Sequence, residues 1–124
     1  MRLVVPIALA AAGVVHLLPL SGVLGGERLL ALYGVAIDEP NLTLLLQHRA
    51  LLFGLLGAFM LGAAFRPAWQ AAALVAGLIS LTSFLLLAAL VGHVNPPLMR
   101  VVWIDLLLLP GLAAAGIVLV RQHA

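Results

Sequence analysis

The chain has 124 residues, of which 65% are hydrophobic and 8% charged, with a net charge of +2 and no cysteine. A soluble domain carries about 25% charged residues, so this composition belongs to an integral membrane protein, and the length suits one domain of four spans. The lack of cysteine excludes disulfides, thiolate-held iron–sulfur clusters and thiol nucleophiles. The six arginines are scattered, with no lysine beside them, which excludes the basic tract of a nucleic-acid surface.

The first span covers residues 3–24. Its start, Met1-Arg2 and then an apolar run with Ala10-Ala11-Ala12, shares features with a signal peptide. The apolar run continues past any early cleavage point, and it reads as an uncleaved helix. At about 100° per residue, Leu9, Ala12, Gly13 and His16 share one face. Small residues let helices approach closely in lipid, so His16 is expected to point into a bundle. Pro19 should bend or loosen the end of the span.

Residues 21–41 form the longest connection. Gly25-Gly26 breaks the span, and residues 27–33 predict a short amphipathic helix lying at the interface, with Tyr33 in the aromatic belt. Gly34 fits a helix C-cap. Asp38-Glu39-Pro40 reads as a helix start, with an acidic cap and proline in the first turn.

The second span covers residues 40–65 and carries Gln47-His48-Arg49 in succession. An arginine at the centre of a membrane helix costs roughly 2.5–3.5 kcal/mol, and less near the interface, so these residues require partners. Gly54, Ala58 and Gly62, spaced by four, suggest a packing face. Gln47 lies on that face, Arg49 nearly opposite, and His48 flanks.

Arg66-Pro67 turns the chain into a third span over residues 68–91. Ala73, Ala76, Gly77, Ser80, Ser83 and Phe84 gather on one side of it. Pro96-Pro97 ends the next connection, and the fourth span covers residues 98–120, with Arg100, Trp103 and Asp105 in its first two turns. Pro110-Gly111 predicts a kink or an opened hydrogen bond.

Four spans place both termini on one side. That side carries Arg2, Arg66 and Arg121 without an acidic residue; the other carries Arg28 and Arg100 with Glu27, Asp38 and Glu39. The arginine bias favours cytoplasmic termini. With a rise of about 1.5 Å per residue, His16, His48, Arg49 and Asp105 all fall roughly 6–13 Å below the opposite, outer end. Buried charge in lipid is paired or lines a polar cavity. The simplest pairing joins Arg49 to Asp105, with His16 and His48 adjacent.

Several readings of this layer compete. It is a structural Arg–Asp pair fixing helix register, with Gln47 and His16 as hydrogen-bonded glue. Or it is a pocket near the outer face for a quinone or a lipid headgroup beside Arg49, His48 and Trp103, since histidine can donate to a quinone oxygen and arginine can bind a phosphate in bidentate fashion. Or His16, His48, His93 and Asp105 hold a metal, or His16 and His48 a haem, in a membrane oxidoreductase. No pair of these histidines has the spacing of a recognised metal motif. Small four-helix proton-coupled exporters match the length, but that class carries a membrane-embedded glutamate in its first span, where this chain has His16. Soluble catalytic templates fail, for want of a Gly-rich phosphate loop, a GxSxG or paired catalytic acids.

The stretch from His16 through Gly25, Arg28, Tyr33, Asp38-Glu39-Pro40-Asn41 and Gln47-His48-Arg49 to Phe53-Gly54, and then Val101-Val102-Trp103-Ile104-Asp105, resembles a group of small bacterial four-helix membrane proteins. More loosely it is similar to the DoxX-like family, some of whose members associate with quinone-linked redox enzymes. The resemblance implies a four-helix fold in the bacterial inner membrane and suggests a redox link. The chain lacks the cysteines that some DoxX-like proteins use.

The expectation is an all-α membrane protein: a four-transmembrane-helix bundle with a short interfacial helix in the first connection and both termini cytoplasmic. Its ligand-binding residues would be His16, Gln47, His48, Arg49, Trp103 and Asp105. No catalytic residue or metal ligand is assigned. The expected ligand is a quinone or lipid, with the bilayer as surroundings and a homo-oligomer or a membrane redox complex as the assembly.

Overall fold

The computed structural model describes residues 2–36 and 38–123. The chain is all helical among these residues: α1 (Val4–Leu17), a 3-10 helix (Leu18–Leu24), α2 (Gly26–Tyr33), α3 (Pro40–Ala64), α4 (Pro67–Val91) and α5 (Pro96–Gln122). Four segments are long and apolar enough to cross a membrane: Val4–Leu24, Pro40–Ala64, Pro67–Val91 and Pro96–Gln122. They form a four-helix bundle, and α2 is the short amphipathic helix of the first connection.

Local chemistry sets the element boundaries. Pro19 has no N–H to continue the α-helical ladder, and α1 gives way to the 3-10 helix at Leu18. The 3-10 helix ends at Gly25, whose φ of 123° suits only a residue without a Cβ. The α3 start is capped by Glu39, whose carboxylate accepts from the backbone N–H of Asn41 at 3.0 Å and of Leu42 at 2.8 Å. Pro40 occupies the first turn, where its missing N–H has no intrahelical partner in any case. Asn95 caps α5 in the same way, its Oδ1 accepting from Leu98 N–H at 2.9 Å. Helix α5 runs on through Pro110, which faces outward; proline leaves one carbonyl of the preceding turn without its helical donor.

Helices α1 and α3 make the tightest pair. A Cβ placed on Gly13 would lie 2.8 Å from the Gly57 carbonyl oxygen, and one on Gly57 would lie 2.7 Å from the Gly13 carbonyl oxygen. The contact face of α3 is therefore Ala50, Gly54, Gly57, Met60, Ala63 and Ala64, and not the Gly54–Ala58–Gly62 line suggested by a spacing of four. Ala58 is exposed and Gly62 only half-buried. The true face mixes steps of three and four, which a single spacing cannot follow. On α4, Ser83 is exposed, and Gln70 and Leu74 join Ala73 and Gly77 inside.

The bundle has two layers along its length. The half that holds the termini is an apolar core of Val5, Leu9, Met60, Ala63, Leu74, Leu112, Ala115 and their neighbours. The opposite half, beneath α2 and the 3-10 helix, contains a cavity and most of the buried polar groups. Gln70 is the exception, buried in the half with the termini.

Candidate functional site

A cavity of about 300 Å³ lies between the 3-10 helix, α2 and the outer halves of the four long helices. Most of its wall is apolar, from residues such as Val15, Leu18, Phe53, Phe84 and Ile104. The polar groups that line it are His16, Tyr33, Arg49, Ser80, Arg100 and Asp105.

His16 is 4% exposed, near the end of α1. Its Nδ1 lies 2.8 Å from the Ala12 carbonyl oxygen and its Nε2 2.9 Å from Ser80 Oγ. A carbonyl only accepts, so Nδ1 carries the hydrogen. In the neutral ring Nε2 then accepts from the Ser80 hydroxyl. This bond joins α1 to α4 across the bundle. The Phe53 ring packs beside the imidazole, 5.6 Å between centroids.

Arg49 projects from α3 beneath α2. Its Nη1 donates to Tyr33 Oη at 3.0 Å. Its guanidinium carbon lies 4.5 Å from the Phe53 ring centroid and 5.4 Å from that of Tyr33. Two aromatic faces and a phenol oxygen thus stabilise the cation where water is scarce. Tyr33 accordingly faces inward, against its expected place in an outer aromatic belt.

Asp105 is 6% exposed on the first half of α5. No hydrogen bond or ion pair reaches its carboxylate from the described residues. The expected Arg49–Asp105 pair is therefore not formed. The two side chains line one cavity, and Arg49 makes its direct contacts with Tyr33 and Phe53 instead.

The remaining sequence candidates lie elsewhere. Gln47 Nε2 donates to the Val23 carbonyl at 2.9 Å, which ties α3 to the 3-10 helix outside the cavity. His48 is exposed and does not line the cavity. Trp103 is 62% exposed on the outer surface of α5, two residues and about 200° around the helix from Asp105. His93 is exposed in the third connection. Both nitrogens of His16 are engaged, and His48 does not face it across the cavity, so the geometry does not present these two histidines as a facing axial pair. Among the described residues no group of three His, Cys, Asp or Glu side chains converges as a metal set.

Sequence reasoning missed Ser80, Tyr33, Phe53 and Phe84 as members of one site. Ser80 was legible as a polar residue on a packing face. What linked it to His16 was their common depth, near the middle of α4 and the end of α1.

A short lid holds the site together. Asn95 Nδ2 donates to the Tyr33 carbonyl at 2.7 Å, while the same side chain caps α5. One residue thus pins the end of α2 to the start of α5. Leu29 of α2 is fully buried, and beneath it Gly22 and Ala50 form a close-packed floor.

No family model, curated protein or solved structure matches the chain.

Proposed function

We propose that this membrane protein binds a membrane-soluble small molecule, a quinone or a lipid, in the cavity beneath α2, alone or as an accessory subunit of a membrane redox complex. The observation that carries this reading is the arrangement of Arg49 and Asp105. Opposite charges line one apolar-walled cavity of about 300 Å³ without forming a pair. Had the two served only to fix helix register, direct contact would be the lowest-energy arrangement, because an unpaired buried carboxylate is costly in low dielectric. Small-molecule sites are mostly apolar concavities with a few placed polar groups, about 300–1,000 Å³ in size, and this cavity lies at the small end of that range.

We also place the protein in the bacterial inner membrane with both termini cytoplasmic. The sequence resemblance supports the membrane, and three arginines against two support the orientation. A reporter fused after Ala124 should be active only if it needs the cytoplasm.

The test of binding is an absorption spectrum and native mass spectrum of the gently purified protein. A retained quinone or lipid mass is expected, lost from an Arg49→Leu/Asp105→Leu double variant that still folds. A bare protein mass, unchanged after incubation with quinones and lipid extracts, would sink the reading.

A further inference from the structure

The cavity receives hydrogen-bond acceptors from α4 and α5 and donors from α2 and α3. Asp105 is more than nine-tenths buried, and none of the described residues donates to it. Among the described residues no side-chain oxygen or nitrogen is both fully enclosed and unpaired. The carboxylate oxygens therefore open onto the cavity that Asp105 lines. Ser80 lies at similar depth. With its hydroxyl hydrogen given to a neutral His16, it offers the cavity only lone pairs.

On α2 and α3 the inventory is the reverse. Tyr33 Oη accepts from Arg49 and keeps its own O–H free to donate. A guanidinium has five N–H donors, and Arg49 uses one on Tyr33. Arg100 of α5 lines the cavity nearer its outer end. Counting about 1.5 Å per residue from the outer helix ends, Arg100 lies roughly 6 Å deep, Arg49 and Asp105 both roughly 13 Å and Ser80 roughly 16 Å, so a ring lying across the cavity meets Arg49 on one side and Asp105 on the other.

Resting on the ligand-binding reading above, we infer that the cavity takes a ring headgroup with a free hydroxyl, of the quinol or phenol class, whose hydroxyl donates to Asp105 while an oxygen at the far side of the ring accepts from Arg49 and Tyr33. Other headgroups fit the inventory less well. A phosphate has acceptors only and would face the carboxylate. A primary ammonium would enter a lining that already holds two arginines against one aspartate. An oxidised quinone also presents an acceptor to Asp105. A volume of about 300 Å³, lined by Phe53 and Phe84 among others, admits one ring headgroup with its tail outside. The inference concerns binding alone and includes no electron transfer.

The matched probes are a decyl-substituted benzohydroquinone and the corresponding quinone, which differ in their donors. Binding is measured by equilibrium dialysis against the full chain in mild detergent under inert gas. The hydroquinone is expected to bind about tenfold tighter, the loss of one charge-assisted hydrogen bond. In Asp105→Leu the two affinities should converge, the hydroquinone losing its acceptor and the quinone losing an opposed one. If Asp105→Leu does not fold, Asp105→Asn, which keeps the shape and one acceptor oxygen, should narrow the preference without removing it. Equal affinities in the unmodified chain, or tighter binding of the quinone, would overturn the donor assignment and leave the binding reading standing. Failure of both rings to bind while a lipid co-purifies would overturn the ring class alone. Absence of any bound molecule, ring or lipid, would overturn both.

Discussion

Gly13 and Gly57 bring the backbones of α1 and α3 into direct contact, each glycine meeting the other's carbonyl oxygen where a side chain would begin. In lipid, helices gain little from hiding apolar surface from one another, so close van der Waals packing carries the association. The distances leave no space for even a methyl group. Gly57→Ala should therefore destabilise the bundle by about 1–3 kcal/mol, the usual result of overpacking. Gly116→Ala is the control: a Cβ there meets nothing within 4 Å, and the change should be neutral or stabilising by up to about 1 kcal/mol through helix propensity. Thermal unfolding in detergent, followed by circular dichroism, distinguishes the two.

The His16–Ser80 hydrogen bond predicts a measurable coupling. Interhelical hydrogen bonds in membranes average about 0.6 kcal/mol by double-mutant cycle, with a maximum near 1.7. A cycle of His16→Leu and Ser80→Ala should fall in that range. Ser80→Ala alone should cost more than the coupling, because it leaves Nε2 of a buried imidazole without a donor. Additive effects would mean that the bond at 2.9 Å contributes nothing.

Asn95 serves two partners with different atoms, so two substitutions separate them. Asn95→Asp keeps an oxygen for the Leu98 N–H and loses the donor to the Tyr33 carbonyl. Helix α5 should keep its cap while α2 loosens. Asn95→Ala loses both and should cost a further ~1 kcal/mol from the missing cap. Hydrogen exchange reads the difference: Asp should raise exchange in residues 26–36 alone, and Ala in residues 96–99 as well.

Glu39 gives the connection before α3 an acid sensitivity. Backbone N–H groups of Asn41 and Leu42, with the Asn41 side-chain amide, hold its carboxyl below the ordinary value of 4.5. A carboxyl whose folded pKa is depressed contributes stability above its unfolded value, and loses that contribution as pH falls through the folded value. Acidification below about pH 4.5 should thus fray the first turn of α3, with little effect at higher pH. Glu39→Gln should remove this part of the pH dependence, as seen in exchange of the Asn41 and Leu42 amides. An unchanged profile in Glu39→Gln would assign the acid response to another group.

Most of the fold was legible because lipid imposes a simple pattern. A span needs about 20 apolar residues, and Pro40, Pro67 and Pro96-Pro97 mark three of the starts. The caps at Glu39 and Asn95 follow from side-chain chemistry within a few residues. Depth was legible too, and it placed His16, Arg49 and Asp105 in one layer. Direction around the helix was not. Arg49 was assigned to Asp105 by charge and depth, whereas the rings of Phe53 and Tyr33 and the Tyr33 oxygen hold it. Those contacts depend on where α2 folds back, and the sequence of an eight-residue helix carries no signal for that. Trp103 and His48 share the depth of the site but face away from it, a distinction set by packing angles between helices.

Four of the six polar groups around the cavity divide evenly between two pairs of helices. His16 and Arg49 belong to α1 and α3, which are fused at Gly13 and Gly57. Ser80 and Asp105 belong to α4 and α5. The positive charge of Arg49 thus sits on one helix pair and the negative charge of Asp105 on the other, across the space between, with the second cation, Arg100, nearer the outer end of α5. A dipolar molecule placed between these charges would be held in one orientation, and any shear of one helix pair against the other would change both the spacing of the charges and the length of the His16–Ser80 stitch. The bundle would then sense its occupant mechanically, by how far apart the two halves rest.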